Sequence, residues 1–288
     1  MRVCFFRSHK AREGLLADAF IAGVEKHGDT GEIRFATGED DFADNCEVVV
    51  MIGVKSKELY QRHWKAGIHV VYLDKGYQRH IQHTTPVRLW EYWRVAVDGH
   101  HPTRNLMSAD RPEDRAEAMS FDLKPWRSEG KHIIFAGSSA KYHDFYDLPD
   151  PTRYASKMIK RIRNHAPGRK VFYRPKPSWS DAVEIPGSTW SGREQKLADL
   201  LHGAHALVTH GSNCCFEAVC AGVPCIVLGD GVAKPISSTE IEQIESPRLA
   251  SWAERRQWLA NLAYQEWTMG EYATGEAWSS IRPQIVGY

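Results

Sequence analysis

Short apolar runs alternate along this chain with stretches of helical periodicity, and that alternation leaves few folds open. Arg2 to Phe6 has the length and character of a buried strand, and Leu15, Leu16, Ala19, Phe20 and Val24 follow with the spacing of a helix that buries one face. Glu47 to Ile52 and His69 to Leu73 repeat the strand pattern on either side of a helix predicted over Ser56 to Lys65. Parallel strands need long crossover connections, so repeated strand–helix units imply a mostly parallel sheet. Asp110 to Trp126, charged and carrying Pro112 and Pro125, interrupts the rhythm and reads as a connection with a polar helix. The rhythm then restarts, with strands predicted at His132–Ala136, Lys170–Tyr173, Ala206–Thr209 and Pro224–Leu228. Helices are predicted at Thr152–Asn164, Gln195–Leu201 and Cys214–Ala221, then around Trp252, Leu259, Leu262 and Ala263, and over Glu266–Trp278. The expectation is an α/β chain of two Rossmann-like domains, 1–118 and 119–262, followed by a terminal segment 263–288.

The 288 residues are enough for two such domains, and 31 aromatic side chains (10 Trp, 11 Tyr, 10 Phe) supply their cores. The longest near-apolar run, Val219 to Leu228, is about half of a membrane span and contains Pro224, while Met1 to Lys10 is too short and basic for a signal peptide. No membrane span and a cytoplasmic location are therefore expected. The six cysteines, at 4, 46, 214, 215, 220 and 225, have neither a disulfide framework's distribution nor the paired spacing of a zinc site, and read as small buried thiols with no metal. Charge is uneven. Residues 52–104 hold nine Lys/Arg against four Asp/Glu, and 153–176 hold nine Lys/Arg and no acid. Such stretches make a field that attracts phosphates, or else a solvated helix face.

The most informative segment runs from Thr209 to Gly229. A predicted strand ends in the small-residue turn His210-Gly211-Ser212-Asn213, whose backbone N–H groups suit an anion such as a diphosphate. Glu217, one helical turn further on, is placed to accept the hydroxyl hydrogens of a ribose, or is an ordinary first-turn glutamate. Gly222 and Pro224 then turn the chain into the next strand. This segment resembles the donor-binding part of GT-B glycosyltransferases, most closely the capsule-polysaccharide and Kdo-transferase type. Ser212, Glu217-Ala218, Gly222-Val223-Pro224 and Ile226 to Leu228 carry the likeness. That group often has Arg-x-His-Pro after the preceding strand. Arg174-Pro175-Lys176-Pro177 stands there in this chain, which keeps a basic phosphate contact and loses the imidazole. The likeness covers roughly 131–265. Tyr72-Leu73-Asp74-Lys75-Gly76-Tyr77 and Gly99-His100-His101-Pro102-Thr103 are also similar to phage-encoded proteins of glycosyltransferase type.

The resemblance implies a GT-B-like architecture, two Rossmann-like domains facing a cleft with the C-terminal helices crossing back to the first. It implies a nucleotide sugar as co-substrate and no further cofactor. Expected donor-binding residues are Gly137, Ser138, Arg174, Lys176, His210, Gly211, Ser212, Asn213, Glu217, Lys234 and Ser237. The sequence lacks a GxGxxG after the first strand and a P-loop after the strand ending in Gly137-Ser138-Ser139, which counts against a dehydrogenase or a nucleoside triphosphatase. It also lacks an Asp-x-Asp placed after a strand. The run Glu39, Asp40, Asp41 reads as a solvated loop, so metal independence is expected. Candidate bases at strand ends of the first domain are Asp74, His9 and His101, with Asp98 and His100 nearby in sequence. Arg88, Trp90 and Arg94, with Tyr92 and Trp93, form a basic aromatic stretch that suits stacking on an acceptor or else a surface packed against the second domain. The first acceptor expected is a hydroxymethylated pyrimidine in DNA, which needs phosphate contacts and a stacking pocket. A glycan acceptor, a sugar-nucleotide epimerase and a non-catalytic nucleic-acid-binding protein are the alternatives.

Overall fold

A computed structural model describes residues 1–36, 41–53, 57–80 and 91–287. The chain forms two compact units, Met1–Pro102 with Leu262–Tyr288, and Thr103–Asn261. Along the first run β1 (Arg2–Arg7), α1 (Ala11–Lys26), β2 (Thr30–Phe35), β3 (Val48–Ile52), α2 (Lys57–Lys65), β4 (His69–Lys75) and β5 (Tyr92–Val97). The second contains α3 (Thr103–Ser108), α4 (Asp114–Ala118), β6 (His132–Ala136), α5 (Ala140–Phe145), α6 (Pro151–His165), β7 (Lys170–Arg174) and β8 (Thr189–Trp190). It continues with α7 (Leu197–Leu201), β9 (Ala204–Thr209), α8 (Cys214–Cys220), β10 (Cys225–Val227) and most of α9 (Trp252–Ala263). The chain then rejoins the first unit as β11 (Glu266–Thr268), α10 (Met269–Thr274) and α11 (Glu276–Val286).

The first sheet has the order β11-β5-β4-β3-β1-β2, with β1 to β4 parallel and β5 antiparallel to both of its neighbours. Strands covered on both faces read as continuous apolar runs, and β1 shows why. Val3 and Phe5 join a core with Leu16, Phe20, Trp278 and Ile281, while Cys4 and Phe6 join another with Val49, Met51, Leu59 and Tyr72. On α1, Leu15 is 61% exposed, contrary to the sequence expectation, and Ala17 and Ile21 are buried in its stead. Strand β5 was not anticipated. Trp93, taken from sequence as part of a stacking surface, is 3% exposed because its strand position faces the core.

The terminal segment also departs from a single helix. Glu266–Thr268 pairs with β5, and Thr268 then starts α10 with a capping box to Glu271. Gly275, at φ +90°, ends α10 and begins α11 in a conformation that only glycine adopts readily. Gly23 of α1 lets this segment approach, since a Cβ there would stand 2.0 Å from the Tyr272 carbonyl oxygen.

The second sheet is β10-β9-β6-β7-β8, parallel throughout. This unit starts at Thr103, earlier than the boundary expected near 118, because the intervening residues are hydrogen-bonded into it. Asn261 Nδ2 donates to the Leu106 and Ala109 carbonyls, Gln257 Nε2 to that of Arg111, and Thr103 Oγ1 to Asp230 Oδ1 at 2.6 Å. The six cysteines are free thiols, five of them buried. Among the described residues no helix is long and apolar enough to cross a membrane.

Asp29 fastens the returning segment to the first unit. Its carboxylate, almost fully buried, accepts from Trp278 Nε1 and Arg282 Nε, both at 2.8 Å, and from the Met1 amine at 2.6 Å. Burial alone would raise its pKa, but the hydrogen bonds from Arg282, the amine and Trp278 outweigh burial and hold it well below the usual carboxylate range. A depressed carboxyl stabilises the fold above its unfolded pKa and loses that contribution as pH falls through the folded value. Asp29→Asn is therefore expected to cost about 2–4 kcal/mol at pH 7, with the gap from the wild type closing below about pH 4, as measured by thermal denaturation across pH.

Candidate functional site

In an open parallel sheet, ligands bind beyond the carboxyl ends of the strands where the strand order reverses. The second unit reverses at β6, from which the chain proceeds outward to β7 and β8 and then returns on the other side as β9 and β10. Residues 137–138, after β6, and 210–213, after β9, flank that point. Gly137, Ser138 and His210 to Asn213 of the expected donor residues thus lie along one edge of one sheet.

Thr209 fixes this edge. It ends β9, is completely buried, and its Oγ1 donates to the carbonyl of Ala136, the last residue of β6, at 2.9 Å. The same oxygen accepts from the Ser212 N–H at 3.0 Å, which pulls the following turn back over the strand ends. Ser212 Oγ accepts in turn from the Cys214 N–H at 3.4 Å, ahead of α8. Gly211 has no room for a side chain. A Cβ there would lie 2.1 Å from the Tyr142 hydroxyl and 2.2 Å from the Asp230 carbonyl oxygen. Gly137 approaches the Tyr173 ring, and Ser138 beside it is buried.

His210 is half-buried, with Nδ1 hydrogen-bonded to the Tyr154 hydroxyl at 2.8 Å and Nε2 lying against Gly229. Burial, then His143 and Lys234, push its pKa down to about 4, so the ring is neutral at physiological pH and offers hydrogen bonds without charge. Its sensitivity to Lys234 shows that this half-buried ammonium acts at the end of β9. Ser237, three residues further on, is 6% exposed, and its hydroxyl has no hydrogen-bond partner among the described residues. A buried hydroxyl in that state costs about 1–3 kcal/mol until a ligand or water satisfies it.

Glu217 and Asn213 are half-buried on and ahead of α8. Burial raises the Cys214 thiol, Glu217 raises it further and Arg174 opposes them, which brings both charged residues within electrostatic reach of that thiol. Arg174 is more internal than a phosphate contact requires. It is 9% exposed, and its Nη1 donates to the Gln195 carbonyl at 2.6 Å and lies 3.5 Å from Ser191 Oγ, tying β7 to the segment after β8. Lys176 is exposed and lines a depression with Trp179, Trp190 and Arg193. Thr209, Tyr154 and Ser191 escaped the sequence reading. A threonine closing a strand before a His-Gly-Ser turn was the available signal for the first, whereas nothing local marks the other two.

The candidates in the first unit are arranged differently. Asp74, at the end of β4, accepts from the Lys75 N–H at 2.8 Å and from Arg94 Nη2 at 3.1 Å. Arg94 Nη1 donates to the Tyr77 hydroxyl at 2.5 Å and to His101 Nδ1 at 2.9 Å, with the guanidinium 4.6 Å above the Tyr77 ring. Arg94 therefore joins Asp74 and His101. At 5% exposure, with its fork committed to these partners, it lacks the surface position that a DNA phosphate contact needs. His101 is also buried, and because its Nδ1 accepts from Arg94 its proton belongs on Nε2, which makes it a donor and not a base. His100 is buried and pushed down to about 3 by burial and Arg94. Asp98 accepts from His69 Nδ1 and the Val70 N–H at 2.8 Å each, a tie between strands. His9 is exposed and stacks on Phe35 at 4.5 Å. Arg88 and Trp90, and also Glu39 and Asp40, lie outside the described residues.

Against solved structures, the chain is similar to a Thermosulfurimonas dismutans KpsC β-Kdo 2,7 transferase, at 14% identity and a TM-score of 0.56 over 96% of this chain and 99% of that one. It is similar also to the β-Kdo 2,4 transferase of the same KpsC, at 13% identity and a TM-score of 0.54 over 91% and 90%. The fold is GT-B-like. A UDP-GlcNAc 2-epimerase from Methanocaldococcus jannaschii aligns at 11% identity with a TM-score of 0.33 over 99% of this chain and 100% of that one. No protein-family model and no curated protein matches the sequence.

Two substitutions probe the edge. Gly211→Ala is expected to destabilise by about 1–3 kcal/mol through overpacking against Tyr142 and the Asp230 backbone. Thr209→Val, which keeps the shape and removes the hydroxyl, leaves the Ala136 carbonyl and the Ser212 N–H unpaired and is expected to cost about 1–3 kcal/mol. Denaturant melts of both variants measure these effects.

Proposed function

We propose that this protein is a glycosyltransferase that takes a sugar from a nucleotide-sugar donor held by the second unit and transfers it to a glycan hydroxyl. The observation that carries this is the convergence of His210 to Asn213, Glu217, Lys234 and Ser237 on the edge where the sheet order reverses. The GT-B-like fold, alike over more than nine-tenths of the chain to two proteins named as β-Kdo transferases, supports it. Glu217 accepts the ribose hydroxyls, and the turn at Ser212 with Lys234 and Lys176 receives the nucleotide phosphate. The acceptor oxygen bonds to the anomeric carbon as the bond to the nucleotide phosphate breaks. Its proton passes to a carboxylate, for which Asp74, paired with Arg94 at 3.1 Å, is the candidate in the first unit. Negative charge developing on the leaving phosphate is stabilised by the lysines, without a metal ion.

A glycan acceptor takes precedence over DNA because the charge excess behind the DNA reading is partly spent internally. Arg94 is buried, and Arg161 and Arg169 of the second basic stretch pair with Glu242 and Glu245 at 2.7 and 2.8 Å. Incubation with a panel of nucleotide sugars, an activated Kdo among them, is expected to release nucleotide faster when a glycan acceptor is added. Stimulation only by hydroxymethylated DNA would restore the DNA acceptor, and free sugar formed at the full rate with neither would favour the epimerase.

Glu217→Ala is expected to weaken donor affinity by about 1.5–3 kcal/mol in calorimetric titration, with the fold intact. Unchanged affinity in a folded variant would remove Glu217 from the site. Turnover is expected to be the same with and without added magnesium or manganese.

A further inference from the structure

In the first unit, Cys4 Sγ, Cys46 Sγ and a carboxylate oxygen of Glu32 all lie within 4.8 Å of one another. We propose that these three side chains bind one thiophilic divalent cation of the zinc class, with Asn45 at hand for the fourth position. This site is independent of the donor site and of the glycosyl-transfer proposal.

The geometry requires little rearrangement. Zinc bonds thiolate sulfur at about 2.3 Å and carboxylate oxygen at about 2.0–2.2 Å, so its tetrahedral ligands stand about 3.5–3.8 Å apart. Cys46 Sγ already lies 3.7 Å from Glu32 Oε1 and 3.6 Å from Asn45 Oδ1. The sheet pre-orders the set. Cys4 in β1 stands in register opposite Glu32 in β2, and Cys46, in the turn before β3, is held by its N–H bond to the Ala43 carbonyl. A bound cation would join three segments of one sheet.

Charge also balances. A dication with two thiolates and one carboxylate carries a net −1, and Arg34 Nη2 lies 2.6 Å from Glu32 Oε1 and 3.4 Å from Asn45 Oδ1, which brings the total to zero. Before loading, burial, foremost, raises both thiols, so the cysteines are protonated and neutral. Binding must therefore expel two protons to solvent as two metal–sulfur bonds form. The spacing of these cysteines in sequence argues against a metal because only the sheet register unites them.

The test titrates the reduced full chain with zinc in competition with a chromogenic chelator. One ion per chain is expected, with about two protons released per ion near neutral pH and a rise in Tm. Cobalt in place of zinc should give a thiolate-to-cobalt charge-transfer band in the near ultraviolet. Cys46→Ser should abolish that band and weaken zinc binding at least tenfold, and Glu32→Gln should weaken it about tenfold. Should the cysteine variant fail to fold, X-ray absorption on the zinc-loaded wild type decides, with two sulfur neighbours expected at about 2.3 Å. A reduced chain that binds no zinc, or zinc whose neighbours do not include two sulfurs, overturns the proposal.

Discussion

The hydroxyl of Thr209 is the point on which the arrangement of the second unit's site depends. A parallel sheet leaves its strand ends as separate loops, and nothing in the ladder itself fixes how the loop after one strand stands relative to the loop after its neighbour. Thr209 Oγ1 supplies that link by bonding the end of β6 and the turn after β9 at once. With the turn drawn back, Gly211 must pass between Tyr142 and Asp230, His210 comes to rest over Gly229, and Ser212 is left to bond the first N–H of α8. One short polar side chain therefore positions the turn from His210 to Asn213. Burial of Thr209 and of the Ala136 carbonyl end of β6 strengthens the tie between the two strand ends.

Buried charge organises the first unit in an analogous way. Asp29 collects Arg282, Trp278 and the Met1 amine, and Arg94 collects Asp74, Tyr77 and His101. In each case an ion inside the protein is surrounded by several hydrogen-bonding partners, as the cost of an isolated buried charge demands. Breaking either set removes more than one contact, since every remaining partner was placed by the same ion. Asp74 thereby keeps a half-exposed carboxylate 3.1 Å from Arg94 Nη2, while His101 Nδ1 lies 2.9 Å from Nη1 of the same guanidinium.

Strands and helices with strong periodicity were legible in the sequence, as were the two-unit α/β organisation and the small-residue turn after β9. What was not legible depended on partners distant in the chain. Tyr92–Val97 contains two tryptophan-adjacent polar residues and looks like a surface stretch, but Glu266–Thr268, far along the chain, pairs with it and turns Trp93 and Arg94 inward. The capping box at Thr268 and Glu271 was present to be read and would have divided the expected helix at its true start. Arg174 followed its motif to the right strand end, yet the Gln195 carbonyl that claims its guanidinium belongs to a loop whose path no local pattern specifies. The nearness of Cys4 and Cys46 likewise follows from the fold, since the turn before β3 brings Cys46 to the strand pair in which Cys4 faces Glu32.

The edge around His210 also shows how placement assigns charge. An exposed imidazole becomes a cation as pH falls below about 6.5, but here burial, then His143 and Lys234, keep the ring neutral down to about pH 4. The positive charge beside this turn is then that of Lys234. Lys176, after β7, stands where the Arg-x-His-Pro pattern has its histidine, and it is exposed. Under the proposed function, the neutral His210 contributes hydrogen bonds and no charge to nucleotide binding at physiological pH.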